Sequence, residues 1–293
     1  MSCRVLVLGA NGFLGSSLVP FLKNNDFQVF TAGRSDSNDF VIKSIHDQME
    51  IHQTIQSVEP DKVINLIAET NVDKCEKDHT HAYSANVGVL KSLLPSWLMP
   101  KDENFFHLIH LSTDQLYEGL GPHNESYVAP VNIYAESKLE SELIAKKMQA
   151  TILRTNFVGR SLSKDRPSFT DWLIKSIREN NKLNLVKNVY FSPAHVNDVC
   201  AAILRILQNP KEGIFNFGSE GRISKAEFGG RLLKKLGLEN ELIKKVELSE
   251  LKLLANRPHD MSMDSSLFEE SFEYVCPTVD EVIEKCVLEY VNE

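Results

Sequence analysis

The apolar run Arg4-Val-Leu-Val-Leu8 passes directly into Gly9-Ala10-Asn11-Gly12-Phe13-Leu14-Gly15, and leucines at 14, 18 and 22 then follow at helical spacing. A buried strand, a turn with three glycines and an amphipathic helix in immediate succession leave few folds open. Glycines there let an anion approach the backbone, and the N–H groups and dipole of the helix N-terminus favour it. The glycines are spaced three and three, whereas the usual dinucleotide fingerprint places its first two glycines two apart. The physical logic is the same, and it predicts nucleotide binding by Gly9, Asn11, Gly12, Phe13, Leu14 and Gly15.

Beyond this turn the chain keeps alternating apolar runs with amphipathic segments. The pattern predicts strands over 27–31, 62–67 and 105–111, and helices marked by Ile51, Ile55 and Val58 and by residues 83–94. Strands that return through helices form a doubly wound parallel sheet, an α/β fold of the NAD(P)-binding Rossmann type. After Pro130 a helix is expected to about Gln149, then a short strand over 151–154. From Phe157 the alternation weakens into a loop over 159–167, helices over 169–180 and 196–207, and a strand over 214–217. The expected organisation is a nucleotide-binding domain over 1–158, with 195–218 returning to it, and a smaller C-terminal α/β substrate-binding domain formed by 159–194 and 219–293.

The formal net charge of −8 over 293 residues, with no run of Lys and Arg, argues against nucleic acid and against an anionic membrane surface. The five cysteines are scattered, odd in number and without a Cys-x-x-Cys pair, which suits reduced packing residues. The N-terminus lacks the apolar core of a signal peptide, and a cytoplasmic location is expected. Histidines 110, 195 and 259 are dispersed in no ligand spacing, and no metal site is expected. Glu118, Glu136, Glu140 and Glu142 read as solvated faces.

Three further segments carry chemistry. The second strand ends in Thr31-Ala-Gly-Arg34-Ser35, without an acid to grip an unphosphorylated ribose. Arg34 is placed to meet a 2'-phosphate, favouring NADP(H) over NAD(H); its other reading is a solvated loop arginine. Asp47 is equally suited to contact adenine or to cap a helix. Ser112-Thr113-Asp114 follows a buried strand, and ligands in such sheets bind outside the carboxyl ends of strands. Tyr134 and Lys138, four apart on a helix, project from one face, where the ammonium is expected to hold down the phenol's pKa. Tyr134 can then supply a proton while a hydroxyl polarises a carbonyl.

The Gly9–Gly15 turn, Ser112-Thr113-Asp114 and Pro130-Val-Asn-Ile-Tyr134-Ala-Glu-Ser-Lys138-Leu-Glu-Ser-Glu142 resemble an extended short-chain dehydrogenase/reductase, most closely the dTDP-4-dehydrorhamnose reductase group. Further similar segments are Asn65 to Glu76, Tyr83-Ser-Ala-Asn86-Val, Leu153 to Val158, Arg257-Pro258 and Ser262-Met-Asp264. The resemblance implies hydride transfer from NADP(H), with NAD(H) as the other candidate, to the C4 keto group of a nucleotide-diphosphate 6-deoxyhexose. It implies Tyr134 as proton donor, Lys138 on the nicotinamide ribose, Thr113 on the carbonyl and Asp114 assisting. Ala68, Thr70 and Asn86 would line the cofactor cleft, and Arg257 would meet the diphosphate or form a domain-bridging ion pair. Gln115 and Phe157 depart from the aromatic residue and the Trp usual in the group; both would lie on the sugar side and leave the sugar open. A homodimer is what the superfamily suggests. The alternatives are an epimerase or dehydratase on the same scaffold, and a non-catalytic subunit resembling the regulatory subunit of methionine adenosyltransferase.

Overall fold

In a computed structural model, residues 3–43, 48–94, 106–238 and 241–291 are described. The first strand, β1 (Arg4–Leu8), is buried along nearly its whole length and leads through the glycine turn into α1 (Phe13–Lys23). The chain continues through β2 (Gln28–Gly33), β3 (Phe40–Val41), α2 (Gln48–Val58), β4 (Lys62–Asn65), α3 (Val72–Lys77) and α4 (His79–Tyr83). A π-helical turn, Ser84–Gly88, joins α4 to α5 (Val89–Leu93), so the helix expected over 83–94 is broken where Asn86 turns inward. Next come β5 (His107–Thr113), α6 (Ile133–Ala145) and β6 (Ala150–Thr155). The second and third predicted strands keep their positions, the carboxyl end of the second lying two residues later than expected and that of the third two residues earlier. β5 extends two residues further than expected, to Thr113.

The remaining elements are β7 (Phe157–Val158), α7 (Phe169–Arg178), β8 (Leu183–Val186), β9 (Tyr190–Phe191), β10 (Ala194–His195), α8 (Val196–Gln208), β11 (Gly213–Phe217), β12 (Ile223–Ser224), α9 (Lys225–Lys235), β13 (Ile243–Val246), β14 (Asp260–Met261), α10 (Ser266–Phe272) and α11 (Val279–Tyr290). The main sheet has the order β11-β6-β5-β4-β1-β2-β3, and every pairing in it is parallel. Because β2 and β4 lie on opposite sides of β1, the strand order reverses beside the glycine turn, and a crevice opens there. Apolar clusters fill both faces of this sheet, while a separate cluster built on Leu173, Ile177, Phe191, Phe228 and Ile283 joins α7, α9 and α11. Among the described residues no helix is long and apolar enough to cross a membrane.

Helix α6 positions the site, and it packs on the sheet through a polar stripe. Ser137, Lys138, Ser141 and Glu142 are all buried at i, i+3 and i+4 spacing. Buried polar groups are costly unless bonded, and each of these has a partner. Ser137 Oγ accepts from Asn86 Nδ2 at 2.8 Å, Lys138 Nζ donates to the Leu111 carbonyl at 2.6 Å, and Ser141 Oγ meets His110 Nε2 at 2.9 Å. Glu142, expected on a solvated face, is 1% exposed and takes two hydrogen bonds from Arg154 of β6, at 2.9 and 2.6 Å. The solvated reading fails because Glu142 lies on the buried side of α6, whose exposed positions are Glu136 and Leu143. Arg154 also donates to the Tyr117 hydroxyl at 2.9 Å, which in turn donates to Asn216 Oδ1 of β11 at 2.6 Å.

Removing one partner of a buried pair leaves an uncompensated charge, so Glu142→Gln should lower the unfolding free energy by about 3 kcal/mol. Urea unfolding measures it, and a loss under about 1 kcal/mol would show that the pair does not anchor α6.

Candidate active site

The glycine turn is built for close approach. Gly9 sits at φ +86°, where a side chain is strained, and a Cβ there would lie 3.1 Å from the Leu66 carbonyl carbon across the crevice. A Cβ on Gly15 would lie 2.5 Å from the Gly9 carbonyl oxygen. Gly12 caps α1 without a side-chain hydrogen bond, so no side chain covers the first turn of the helix. Phe13 and Leu14 form that first turn, and the Phe13 ring packs 5.2 Å from the ring of Phe157. Phe157 therefore borders the phosphate turn, although the resemblance assigns it to the sugar side.

Arg34 is exposed just past β2 and makes no ion pair among the described residues. The loop that carries it is stitched to the turn: Asn38 Nδ2 donates to Asn11 Oδ1 at 2.6 Å, and Asn11 Nδ2 donates to Ser37 Oγ at 3.2 Å. Ser163 Oγ reaches the Asn11 carbonyl at 2.8 Å from the far side of the crevice. Sequence reasoning missed Asn38, Ser37 and Ser163; a polar run directly after a strand was the only signal. Asp47 lies outside the described residues.

Across the crevice, Ala68 is half-buried and Thr70 exposed in the segment after β4. Asn86 holds that segment, accepting from the Glu69 N–H at 2.8 Å while donating to Ser137 of α6. Its role is to fix the wall of the crevice through buried bonds.

Thr113, Tyr134 and Lys138 come together at the carboxyl end of β5. Thr113 ends the strand, and its Oγ accepts from the Gln115 N–H at 3.2 Å. The Thr113 side chain also acts on the phenol of Tyr134, which is 7% exposed. Burial pushes the Tyr134 pKa above its ordinary value, only partly offset by Thr113, with Asp114 adding to the rise. The phenol's pKa is thus raised where a lowering by Lys138 is expected from spacing, and the ammonium donates to the Leu111 carbonyl at 2.6 Å. Burial brings Lys138 itself down to about 8, against the field of Glu142.

Asp114 is 2% exposed, and burial pushes its carboxyl up to about 6 against the lowering effects of Lys225, Asn156 and Thr113. Asn156 Nδ2 donates to it at 2.6 Å. Neither Asn156 nor Lys225 was singled out from sequence, since each reaches Asp114 only through tertiary contact. Gln115 is half-buried, its Oε1 3.4 Å from Asn132 Nδ2 at the cap of α6.

A cavity of about 410 Å³ is lined by residues that include Glu118, Val131, Leu251, Asn256, Arg257 and His259. Arg257 donates to the Ala255 carbonyl at 2.9 Å and pairs with Asp73 at 3.0 Å, the bridging contact that was its alternative reading. Its remaining N–H groups border the cavity. Elsewhere, ligand atoms of His195, Cys286 and Glu289 lie within 4.8 Å of one another. Burial drives the Cys286 thiol above its ordinary value. His195 Nε2 and Glu289 Oε2, 3.2 Å apart, instead tie α11 to the start of α8.

Comparison with known proteins places the geometry in context. The chain is 30% identical over 247 residues to the spore coat polysaccharide biosynthesis protein SpsK of Bacillus subtilis, covering 82% of each. It is 25% identical over 286 residues to a dTDP-4-dehydrorhamnose reductase of Aggregatibacter actinomycetemcomitans, covering 92% of this chain and 93% of that one. The fold matches the crystal structure of dTDP-4-dehydrorhamnose reductase from Bacillus anthracis in complex with NADP, with a TM-score of 0.85 at 24% identity, over 99% of this chain and 100% of that one. The model of the RmlD substrate binding domain matches residues 3–292, and the chain belongs to that family.

Proposed function

We propose that this chain is an NADP(H)-dependent reductase of a nucleotide-linked 4-keto-6-deoxyhexose, supplying an activated deoxysugar for a surface polysaccharide. The observation that carries the reading is the gathering of the Thr113 hydroxyl, the Tyr134 phenol and the Lys138 ammonium at the carboxyl end of β5. Family membership and the names of the polysaccharide and reductase relatives support it.

The residues fit a dinucleotide. The uncapped first turn of α1, with Gly9 and Gly15 where a Cβ would strike backbone, suits a pyrophosphate. Arg34, without a carboxylate partner beside the Asn11–Asn38 network, suits a 2'-phosphate. When bound, the nicotinamide supplies the hydride.

Reduction of a carbonyl needs a proton for the developing alkoxide, and the raised pKa of Tyr134 keeps that proton on the phenol at neutral pH. Thr113, whose side chain acts on the phenol, would steady the carbonyl oxygen. Lys138, with its pKa near 8, remains mainly an ammonium at neutral pH and can hold ribose hydroxyls. The polar and apolar lining of the cavity at Arg257 and His259 suits the nucleotide end of the substrate. Gln115, which follows Asp114 directly, is the residue through which the sugar would be read.

NADPH oxidation against dTDP-, GDP- and UDP-linked 4-keto sugars tests the reading; one of them should be consumed, and inertness toward all would overturn it. Tyr134→Phe should cut kcat at least about 100-fold while NADPH affinity stays within about twofold, and unchanged turnover would remove Tyr134 as the acid. Arg34→Ala should raise KM for NADPH by about tenfold and leave KM for NADH nearly unchanged; equal effects would exclude the 2'-phosphate contact.

A further inference from the structure

β3 lies beside β2 and parallel to it, yet the two strands are joined only by residues 34–39. Parallel neighbours ordinarily need a crossover of about a dozen residues or more. A connection this short must turn back on itself, and Arg34 stands at its start. The loop carries both signs of charge. Asp39 is turned back onto β2, accepting from the N–H and from the hydroxyl of Thr31 at 2.8 Å each, while Arg34 and Asp36 are exposed. Which charge meets an anion at the glycine turn therefore depends on how the loop is held.

Asn38 holds it. It is 8% exposed, in a loop whose other residues are all exposed. Its Nδ2 donates twice, to the Ser35 carbonyl at 2.7 Å within the loop and to Asn11 Oδ1 at 2.6 Å in the glycine turn. A carbonyl only accepts, so the Asn38 atom facing it is the nitrogen, and the onward directions follow. Asn11 presents its oxygen to Asn38 and donates through Nδ2 to Ser37 Oγ at 3.2 Å. The backbone closes the same turn, with the Asn38 N–H donating to the Ser35 carbonyl at 3.1 Å. The two amides meet over Gly33, where a Cβ would lie 3.0 Å from Asn11 Oδ1 and 3.1 Å from Asn38 Nδ2. Asn11 is fixed in turn by Ser163 Oγ, which donates to its carbonyl at 2.8 Å. The Ser35 and Ser37 hydroxyls lie 2.9 Å apart and share one hydrogen. Whichever of them donates, one hydroxyl hydrogen of the pair remains uncommitted among the described residues.

We propose that Asn38 is the positioning residue that makes this chain prefer a phosphorylated over an unphosphorylated adenosine ribose: by bonding Ser35 and Asn11 at once, it fixes Arg34 beside the glycine turn. The identity of the ligand rests on the NADP(H) reading above, whereas the anchoring rests on the geometry of the loop. Asn38 acts through Arg34, and its own amide hydrogens are both spent inside the protein. NADH has no 2'-phosphate to lose when the loop is released. NADPH loses a charge-assisted contact.

Dissociation constants of NADPH and NADH, measured by calorimetry on the full chain, test this without any sugar substrate. The unaltered chain should bind NADPH more tightly than NADH. Asn38→Ala should weaken NADPH by about tenfold and NADH by less than about twofold. In an Arg34→Ala background, Asn38→Ala should add nothing to the loss, because it acts through that arginine. If Asn38→Ala does not fold, Asn38→Ser, with one hydroxyl donor in place of two N–H groups, is read in the same way. An unchanged NADPH/NADH ratio in a folded variant overturns the assignment. So do equal losses for both nucleotides, the mark of a purely structural role, and a further loss of NADPH affinity in the Arg34→Ala background. Equal affinity of the unaltered chain for the two nucleotides overturns it together with the NADP(H) preference. A ratio that falls in Asn38→Ala, in a protein that reduces no 4-keto sugar, upholds the role of Asn38 and sinks the proposed reaction instead.

Discussion

The structure depends on a helix that is packed through polar groups. One face of α6 buries Ser137, Lys138, Ser141 and Glu142, and a face of this kind is stable only in the single register that satisfies all four. The Arg154–Glu142 pair is the strongest of these contacts, since both charges are out of water and bonded twice. An apolar face could slide by a residue at small cost; this one cannot. The positions of Tyr134 and Lys138 over the end of β5 are therefore set by the buried network at the far end of their helix. Through Tyr117 and Asn216 the same network reaches β11, so the edge of the sheet and the site share one set of bonds.

Much of this was legible in the sequence because it is local. The strand, glycine turn and helix at 4–23 follow from periodicity and from the need for small residues where backbones approach. The parallel α/β sheet follows from the alternation alone. What escaped was set by distant partners. Glu142 looks like any helix-surface acid until Arg154 of the next strand is placed beside it, and the π turn at Asn86 depends on the bond to Ser137, 51 residues away. The Tyr134–Lys138 spacing correctly put both on the buried face, yet it could not show that the ammonium turns to the Leu111 carbonyl. Phe157 likewise meets Phe13 through tertiary packing that no spacing rule encodes.

The electrostatics of the crevice differ from those of the whole chain. A protein of net charge −8 places Arg34 just past β2 beside the glycine turn, Lys138 at the end of β5 and Arg257 in the lining of a cavity, cations that suit ligands rich in phosphate. Burial pulls Lys138 toward neutrality and raises Asp114 to about 6, so two groups at the end of β5 are shifted toward physiological pH. Clustered perturbation of this kind is costly to stability, and the buried hydrogen bonds around α6 are what hold these groups in place.

The central claim is net hydride transfer to a carbonyl, and isotope transfer tests it most directly. With NADPH deuterated at the reactive C4 position and the 4-keto-6-deoxyhexose nucleotide that the chain accepts, the account predicts one deuterium at C4 of the product sugar, seen by mass spectrometry and by loss of that proton signal. Product lacking deuterium at C4, as expected of an epimerase or dehydratase that returns its own hydride, would contradict it.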